Sequence, residues 1–179
     1  MTESGEFESG SPYTALARKA IEAWVKERRE LSTEEIKEEK KLLPEKAAAF
    51  VCLKKEGGLR GCIGTFQPTR EDLAEEIVSN AISAACRDPR FPPVSEEELE
   101  DLDISVDVLG EPERVRDASQ LDPRRYGVIV RRENRTGLLL PDLEGVDSVE
   151  EQLEIARNKA GISPREPIQV YRFTVERYH

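Results

Sequence analysis

The residues best suited to chemistry lie together in one short segment, residues 59–64, which read LRGCIG. An arginine, a thiol and two glycines interrupt a run that otherwise favours a β-strand. Glycine inside a strand marks a bulge or a close approach by a ligand or another backbone, because a Cβ would block that approach. Side-chain alternation predicts that Arg60, Cys62 and Gly64 share one face. We therefore predict a ligand site at Arg60, Gly61 and Gly64, beside Cys62.

The thiol of Cys62 has two interpretations. If the shared face is open, the Arg60 guanidinium would favour the thiolate and make Cys62 a candidate catalytic nucleophile. Free cysteine is also among the most buried residue types, so a packed cysteine beside a structural arginine is the alternative. The only histidine is the C-terminal His179, so no internal histidine can act as a base for Cys62.

A second candidate pair, Asp88 and Arg90, flanks the first proline of a loop at residues 89–93. Three prolines in five residues remove backbone donors that a helix or a central strand needs. Such a restricted loop can hold a carboxylate and a guanidinium for ligand binding at low entropic cost. The alternative is that Asp88 and Arg90 simply pair with each other.

The cysteine and histidine content argues against metal and cofactor chemistry. Cys52, Cys62 and Cys86 form an odd set without a Cys-x-x-Cys pair. This pattern disfavours a disulfide framework and a zinc ribbon, and it favours reduced thiols in a cytoplasmic protein. With only one terminal histidine, the usual His and Cys ligand sets cannot form, so we predict no metal and no cofactor.

The charge balance disfavours nucleic acid as a partner. The 37 acidic and 27 basic side chains give a net charge of -10, which repels a phosphate backbone. A local exception would be an arginine patch formed by Arg124, Arg125, Arg131, Arg132 and Arg135. Ordinary surface pairing with Glu133 and Asp122 is the favoured alternative. No apolar run approaches the roughly 18 residues of a membrane span and the start lacks signal-peptide features, so a soluble cytoplasmic protein is expected.

Periodicity and turn signals predict an α+β fold with a mainly antiparallel sheet. Residues 1–10 are expected to be disordered, and residues 11–179 to form a single domain. Four helices are predicted at about 12–30, 71–87, 95–102 and 148–160. About six strands are predicted near 47–54, 59–66, 103–108, 126–130, 137–140 and 168–178. Hairpins dominate the connections, so the helices should pack on an antiparallel sheet.

These motifs together resemble the AMMECR-type domain. The resemblance rests on LRGCIGTF at 59–66, NAISAA at 80–85 and DPRFPPV at 88–94, and it continues in order to residues 170–173. It covers the chain from about residue 12 and implies a two-lobed α/β unit. Prokaryotic members look like protein A of the AmmeMemoRadiSam system, so the resemblance implies a Memo-like protein and a radical SAM protein as partners. It supplies no activity.

Two functions therefore stay open. The first is a binding or adaptor module that recognises a small anionic ligand, a peptide or a protein partner at the 59–64 strand. The second is a small cofactor-independent enzyme, or an enzyme subunit, with Cys62 as nucleophile and Arg60 as anion-binding group. The sequence lacks a complete catalytic triad or metal set, which favours the binding module.

Overall fold

The structure, a computed structural model, describes residues 10–179. The predicted disorder at residues 1–10 therefore lies, apart from Gly10, outside the described residues. The α-helices are α1 (Pro12–Glu27), α2 (Lys37–Leu42), α3 (Leu73–Cys86) and α4 (Val149–Ala160), with short 3-10 helices at Glu96–Asp101 and Ala118–Gln120. The strands are β1 (Ala49–Lys55), β2 (Gly58–Gly64), β3 (Leu102–Leu109), β4 (Glu113–Val115), β5 (Gly127–Arg132), β6 (Arg135–Leu139), β7 (Gln169–Phe173) and β8 (Val175–Tyr178).

The strands form two antiparallel sheets of four strands each, in the orders β2-β1-β3-β8 and β4-β7-β5-β6. The predicted α+β class and antiparallel character are confirmed. The predicted count of about six strands was too low for two reasons. The three-residue β4 is too short to show alternation, and one predicted strand at 168–178 is two strands separated at Thr174.

Side-chain caps explain where the helices begin and end. The Ser11 hydroxyl accepts from the Thr14 N–H at the start of α1, where Pro12 occupies the first turn. At α4 the Ser148 and Glu151 side chains form a capping box, and Gly161 ends the helix in the left-handed region with φ 66°. The sequence predicted each of these caps.

The described chain divides into two compact units. The first contains the described residues up to Asp107 together with Arg177–His179, and the second contains Val108–Glu176. In the first unit α1 and α3 pack together and α3 covers β1 and β2, with fully buried Val51 and Leu53 beneath it. Buried Ile104 and Val106 of β3 complete this apolar core.

The second unit repeats the same local design of a hairpin covered by a helix. Helix α4 packs on β5 and β6. Its core consists of Leu121, Val128, Val130, Leu139, Val146, Ala156 and Ile162. A Cβ at Gly137 would overlap the carbonyl of Ala156, so this strand glycine allows the helix to approach closely. Among the described residues, no helix has the length and apolar character needed to cross a bilayer.

Candidate functional site

The candidate segment forms β2, which lies at the edge of its sheet and pairs with β1. Glu56 and Gly57 join the two strands, and both have positive φ, 51° and 79°. This is the backbone of a two-residue hairpin turn whose twist matches that of the strands. The predicted hairpin is therefore present, although the second positive φ falls on Glu56 rather than on Gly58.

A β-bulge at Arg60 changes the register of the hairpin. Lys54 pairs with Leu59 and Leu53 pairs with Gly61, so Arg60 is an extra residue in β2. One extra residue reverses side-chain alternation along the strand. The simple alternation that predicted a shared face for Arg60 and Cys62 does not continue across the bulge.

The bulge brings two cysteines together. Cys62 pairs directly with Cys52 of β1, and the two form a disulfide with their Cα atoms 4.1 Å apart. The expectation of three reduced thiols was therefore wrong, since only Cys86 is free. Its thiol is half-buried, and this burial raises its pKa. Because the Cys62 sulfur is in the bridge, it can act as a nucleophile only after reduction.

The Arg60 guanidinium is paired with Glu98 of the 3-10 helix Glu96–Asp101. Its Nε lies 2.9 Å from Glu98 Oε1 and its Nη2 lies 3.0 Å from Oε2. These donors, with the Ser95 N–H and then the Lys55 ammonium, lower the pKa of Glu98 to about 2. Arg60 Nη1 is buried without a hydrogen-bond partner within residues 10–179. The positive charge of Arg60 is therefore already neutralised by Glu98.

Asp88 and Arg90 cover the outer edge of β2 at Cys62. The buried Asp88 carboxylate accepts from the Cys62 N–H at 3.0 Å, and Arg90 Nη2 donates to the Cys62 carbonyl at 3.2 Å. Arg90 also donates to both Asp88 oxygens, at 3.0 and 2.7 Å. The Arg90 guanidinium therefore holds the pKa of Asp88 far below its usual range. Together the two side chains act as a short substitute for a neighbouring strand.

The structure thus joins Cys62, Asp88 and Arg90 in one network, whereas Arg60 has a different partner. The mutual pairing of Asp88 and Arg90, which was the alternative in the sequence, is present. Their role in ligand binding stays a prediction. So does that of Arg60.

Both glycines of the candidate segment have packing reasons. A Cβ at Gly61 would overlap the Ala84 carbonyl of α3, and one at Gly64 would overlap the Phe50 ring. Another part of the same chain therefore makes the close approach that glycine allows at each position. The predicted contact of Gly61 and Gly64 with a ligand remains a prediction, and the helix and ring contacts explain these glycines without one.

Glu76 is a site residue that the sequence reasoning missed. It is fully buried near the start of α3, and its carboxylate holds the loop that follows β2. It accepts from the hydroxyls of Thr65 and Thr69, at 2.8 and 3.0 Å, and from the N–H groups of Thr69 and Arg70, at 2.8 and 2.9 Å. The available signal was a carboxylate in the apolar helical run at 73–85.

Two exposed apolar side chains stand at opposite ends of β2. Leu59 lies before the bulge and is 46% exposed, and Phe66 lies in the loop held by Glu76 and is 39% exposed. Exposed apolar side chains beside an edge strand are available for contact with another polypeptide.

The arginine-rich segment of the second unit is mostly paired. Arg135 and Arg132 share Glu166, at 2.7 and 3.2 Å, and Arg124 lies 3.4 Å from Asp147. The favoured interpretation of surface pairing is confirmed for these three arginines, although the partners are Glu166 and Asp147 rather than Glu133 and Asp122. Within residues 10–179, no group of three or more His, Cys, Asp or Glu is placed to hold a metal ion.

The order of the hairpin, its covering helix and the Asp88 loop agrees with a known family. The AMMECR1 family model matches residues 14–178. The chain belongs to the AMMECR1 family. This result confirms the resemblance seen in the sequence.

Relatives and a solved structure support the assignment to AMMECR1. A protein of Thermotoga maritima is 54% identical over 93% of this chain and 97% of its own length. Protein CA_C1420 of Clostridium acetobutylicum is 47% identical over 93% of the chain, which spans only 36% of that longer relative. The crystal structure of the uncharacterised protein PH0010 from Pyrococcus horikoshii has a TM-score of 0.84, at 36% identity over 92% of this chain and 88% of that one.

Proposed function

We propose that β2 and the loop that follows it bind a protein or peptide partner. The observation that carries the proposal is the position of Leu59 and Phe66, exposed apolar side chains at opposite ends of an edge strand. A polypeptide can cover these apolar side chains on either side of Cys62, whose outward N–H and carbonyl are already bonded to Asp88 and Arg90. The AMMECR1 domain would then act as a binding or adaptor module.

The loop that carries Phe66 is ordered before any partner arrives. Glu76 binds Thr65 on one side of Phe66 and Thr69 and Arg70 on the other. An aromatic side chain on a loop that is already held loses less conformational entropy on binding. This geometry supports Phe66 as the main contact residue of the proposed surface.

A polypeptide partner is better supported than a small anion. Glu98 already neutralises Arg60, and Asp88 already neutralises Arg90. A small anion would have to compete with both carboxylates, whereas a polypeptide can bind through the exposed apolar side chains of Leu59 and Phe66. We do not propose the enzyme with Cys62 as nucleophile, because the sulfur of Cys62 is in a disulfide.

The candidate partners are the Memo-like and radical SAM proteins that the family resemblance implies. The test measures their affinity for the wild-type chain and for Leu59→Ser and Phe66→Ser by calorimetry. Leu42→Ser is the matched control, because Leu42 is a large apolar residue that is 65% exposed on α2 and lies outside the 59–66 segment. Loss of a central apolar contact of about 1.4 kcal/mol or more weakens binding at least tenfold.

We expect this weakening for Phe66→Ser and Leu59→Ser, with unchanged affinity for Leu42→Ser. If neither purified candidate binds, the same four proteins are used to capture partners from a native lysate, and the captured proteins are compared by mass spectrometry. A partner that all four proteins retain equally would contradict the proposal.

A further inference from the structure

We propose that Cys52 and Cys62 form a reversible thiol–disulfide centre, opened by a dithiol reductant, that controls the order of edge strand β2. The first observation that supports the proposal is the register of the hairpin. The neighbouring pairs Val51–Ile63 and Leu53–Gly61 lie on either side of the cysteine pair. The backbone therefore holds the two sulfurs opposite each other whether or not the bond is closed. Opening and closing need no large movement of the chain.

The pair is accessible to an external reductant. Cys52 and Cys62 are both partly exposed, at an edge strand and its neighbour rather than inside the core. Burial raises the pKa of the third thiol, Cys86, which makes it a weaker attacking group at neutral pH. In the proposed reaction the attacking thiolate belongs to another molecule.

The reaction is a two-electron thiol–disulfide exchange. A thiolate of the dithiol attacks one bridge sulfur, which breaks the Cys52–Cys62 bond, forms a mixed disulfide and releases the other cysteine as a thiolate. The second thiolate of the dithiol then attacks the mixed disulfide. The dithiol leaves as a disulfide, and the two protons that it gave up protonate Cys52 and Cys62. Oxidation by a disulfide runs the same steps in reverse.

The disulfide includes Cys62, whose backbone also bonds to Asp88 and Arg90 at the outer edge of β2. Cys62 is fixed by its side chain to Cys52, by its N–H to Asp88 and by its carbonyl to Arg90. Reduction breaks the disulfide, so that hydrogen bonds alone then hold β2 against local opening. The proposed effect on a partner rests on the function proposed for β2, whereas the exchange reaction does not.

The first experiment equilibrates the whole chain in mixtures of reduced and oxidised dithiothreitol of stepped potential, traps free thiols with a maleimide and counts the adducts by mass. We expect one adduct per chain, on Cys86, under oxidising conditions, and a gain of two adducts in a single two-electron step under reducing conditions. Cys86→Ser should lose the constant adduct and keep the step. Cys52→Ser and Cys62→Ser should each lose the step.

Two results would overturn the proposal. In one, Cys52 and Cys62 are alkylated under every buffer. In the other, the bridge opens only when the chain unfolds, as followed by circular dichroism in the same samples.

The second experiment compares hydrogen exchange of the oxidised and reduced chains. Reduction should cause a loss of protection at the β2 amides, with unchanged protection in β5 of the other unit as the internal control. Equal protection of β2 in both states would refute control of the edge strand. Because hydrogen exchange needs no partner, its result is independent of the binding tests with Phe66→Ser.

Discussion

Replacement of Glu76 gives a sharp test of how the loop after β2 is held. The fully buried carboxylate accepts four hydrogen bonds, two from hydroxyls at Oε1 and two from backbone N–H groups at Oε2. Glu76→Ala would leave all four donors without this acceptor. A buried donor left without its acceptor costs about 1–3 kcal/mol, so with four donors affected we expect Glu76→Ala to cost at least about 3 kcal/mol.

Glu76→Gln should be much milder for a structural reason. The amide oxygen can face the backbone N–H groups of Thr69 and Arg70, whose donors cannot rotate. The amide NH2 then faces the hydroxyls of Thr65 and Thr69, which can accept as well as donate. All four contacts survive without the charge, and charge-assisted hydrogen bonds are about twice as strong as neutral ones. We therefore expect a loss of about 1–2 kcal/mol.

Urea unfolding at neutral pH, analysed by linear extrapolation, measures both free energies. The matched control is Glu75→Gln, because Glu75 is the adjacent helix residue, is 28% exposed and pairs with Lys40. A partly exposed ion pair contributes about 0–1 kcal/mol. The reasoning fails if Glu76→Gln destabilises as much as Glu76→Ala, or if Glu76→Ala costs no more than the control.

Two further predictions concern β2 and its neighbours. Gly61→Ala places a methyl group against the Ala84 carbonyl and should cost about 1–3 kcal/mol in thermal unfolding, whereas Gly58→Ala, with its nearest contact at 3.6 Å, should be nearly neutral. Equal effects would refute the packing argument. Because the pKa of Glu98 is lowered to about 2, mainly by Arg60, its stabilising effect is complete above a pH of about 4.3 and is lost towards pH 2. Arg60→Gln should flatten that part of the urea-midpoint profile against pH, and an unchanged slope would contradict the assignment.

Local signals in the sequence predicted much of the fold. Caps at Ser11, Ser148 and Gly161 and a hairpin turn that contains Gly57 depend on residues close together in the chain. These features could be predicted because each has a specific backbone or side-chain requirement. The break at Thr174 could not, since the residues on both sides favour strands equally and only their sheets differ.

The candidate site was predictable as a segment but not as a set of contacts. The sequence selected residues 59–64 and the Asp88 loop, and the structure joins them through Cys62. The sequence did not reveal Glu98 as the partner of Arg60, because the capping box with Ser95 already accounted for Glu98. In the structure Glu98 has both roles.

One extra residue in β2 accounts for the main differences. The two-residue turn pairs Lys55 with Gly58, and continuing that register without a bulge would place Cys52 opposite Gly61. The extra residue, Arg60, shifts the partner of Cys52 to Cys62 and allows the bridge. Turn signals set a register only up to the first bulge, so the sequence indicated three separate thiols where the backbone brings two together. Arg60 pairs with Glu98 and the Cys62 sulfur is bonded to Cys52, which is why the segment supports a partner-binding surface better than an arginine-activated nucleophile.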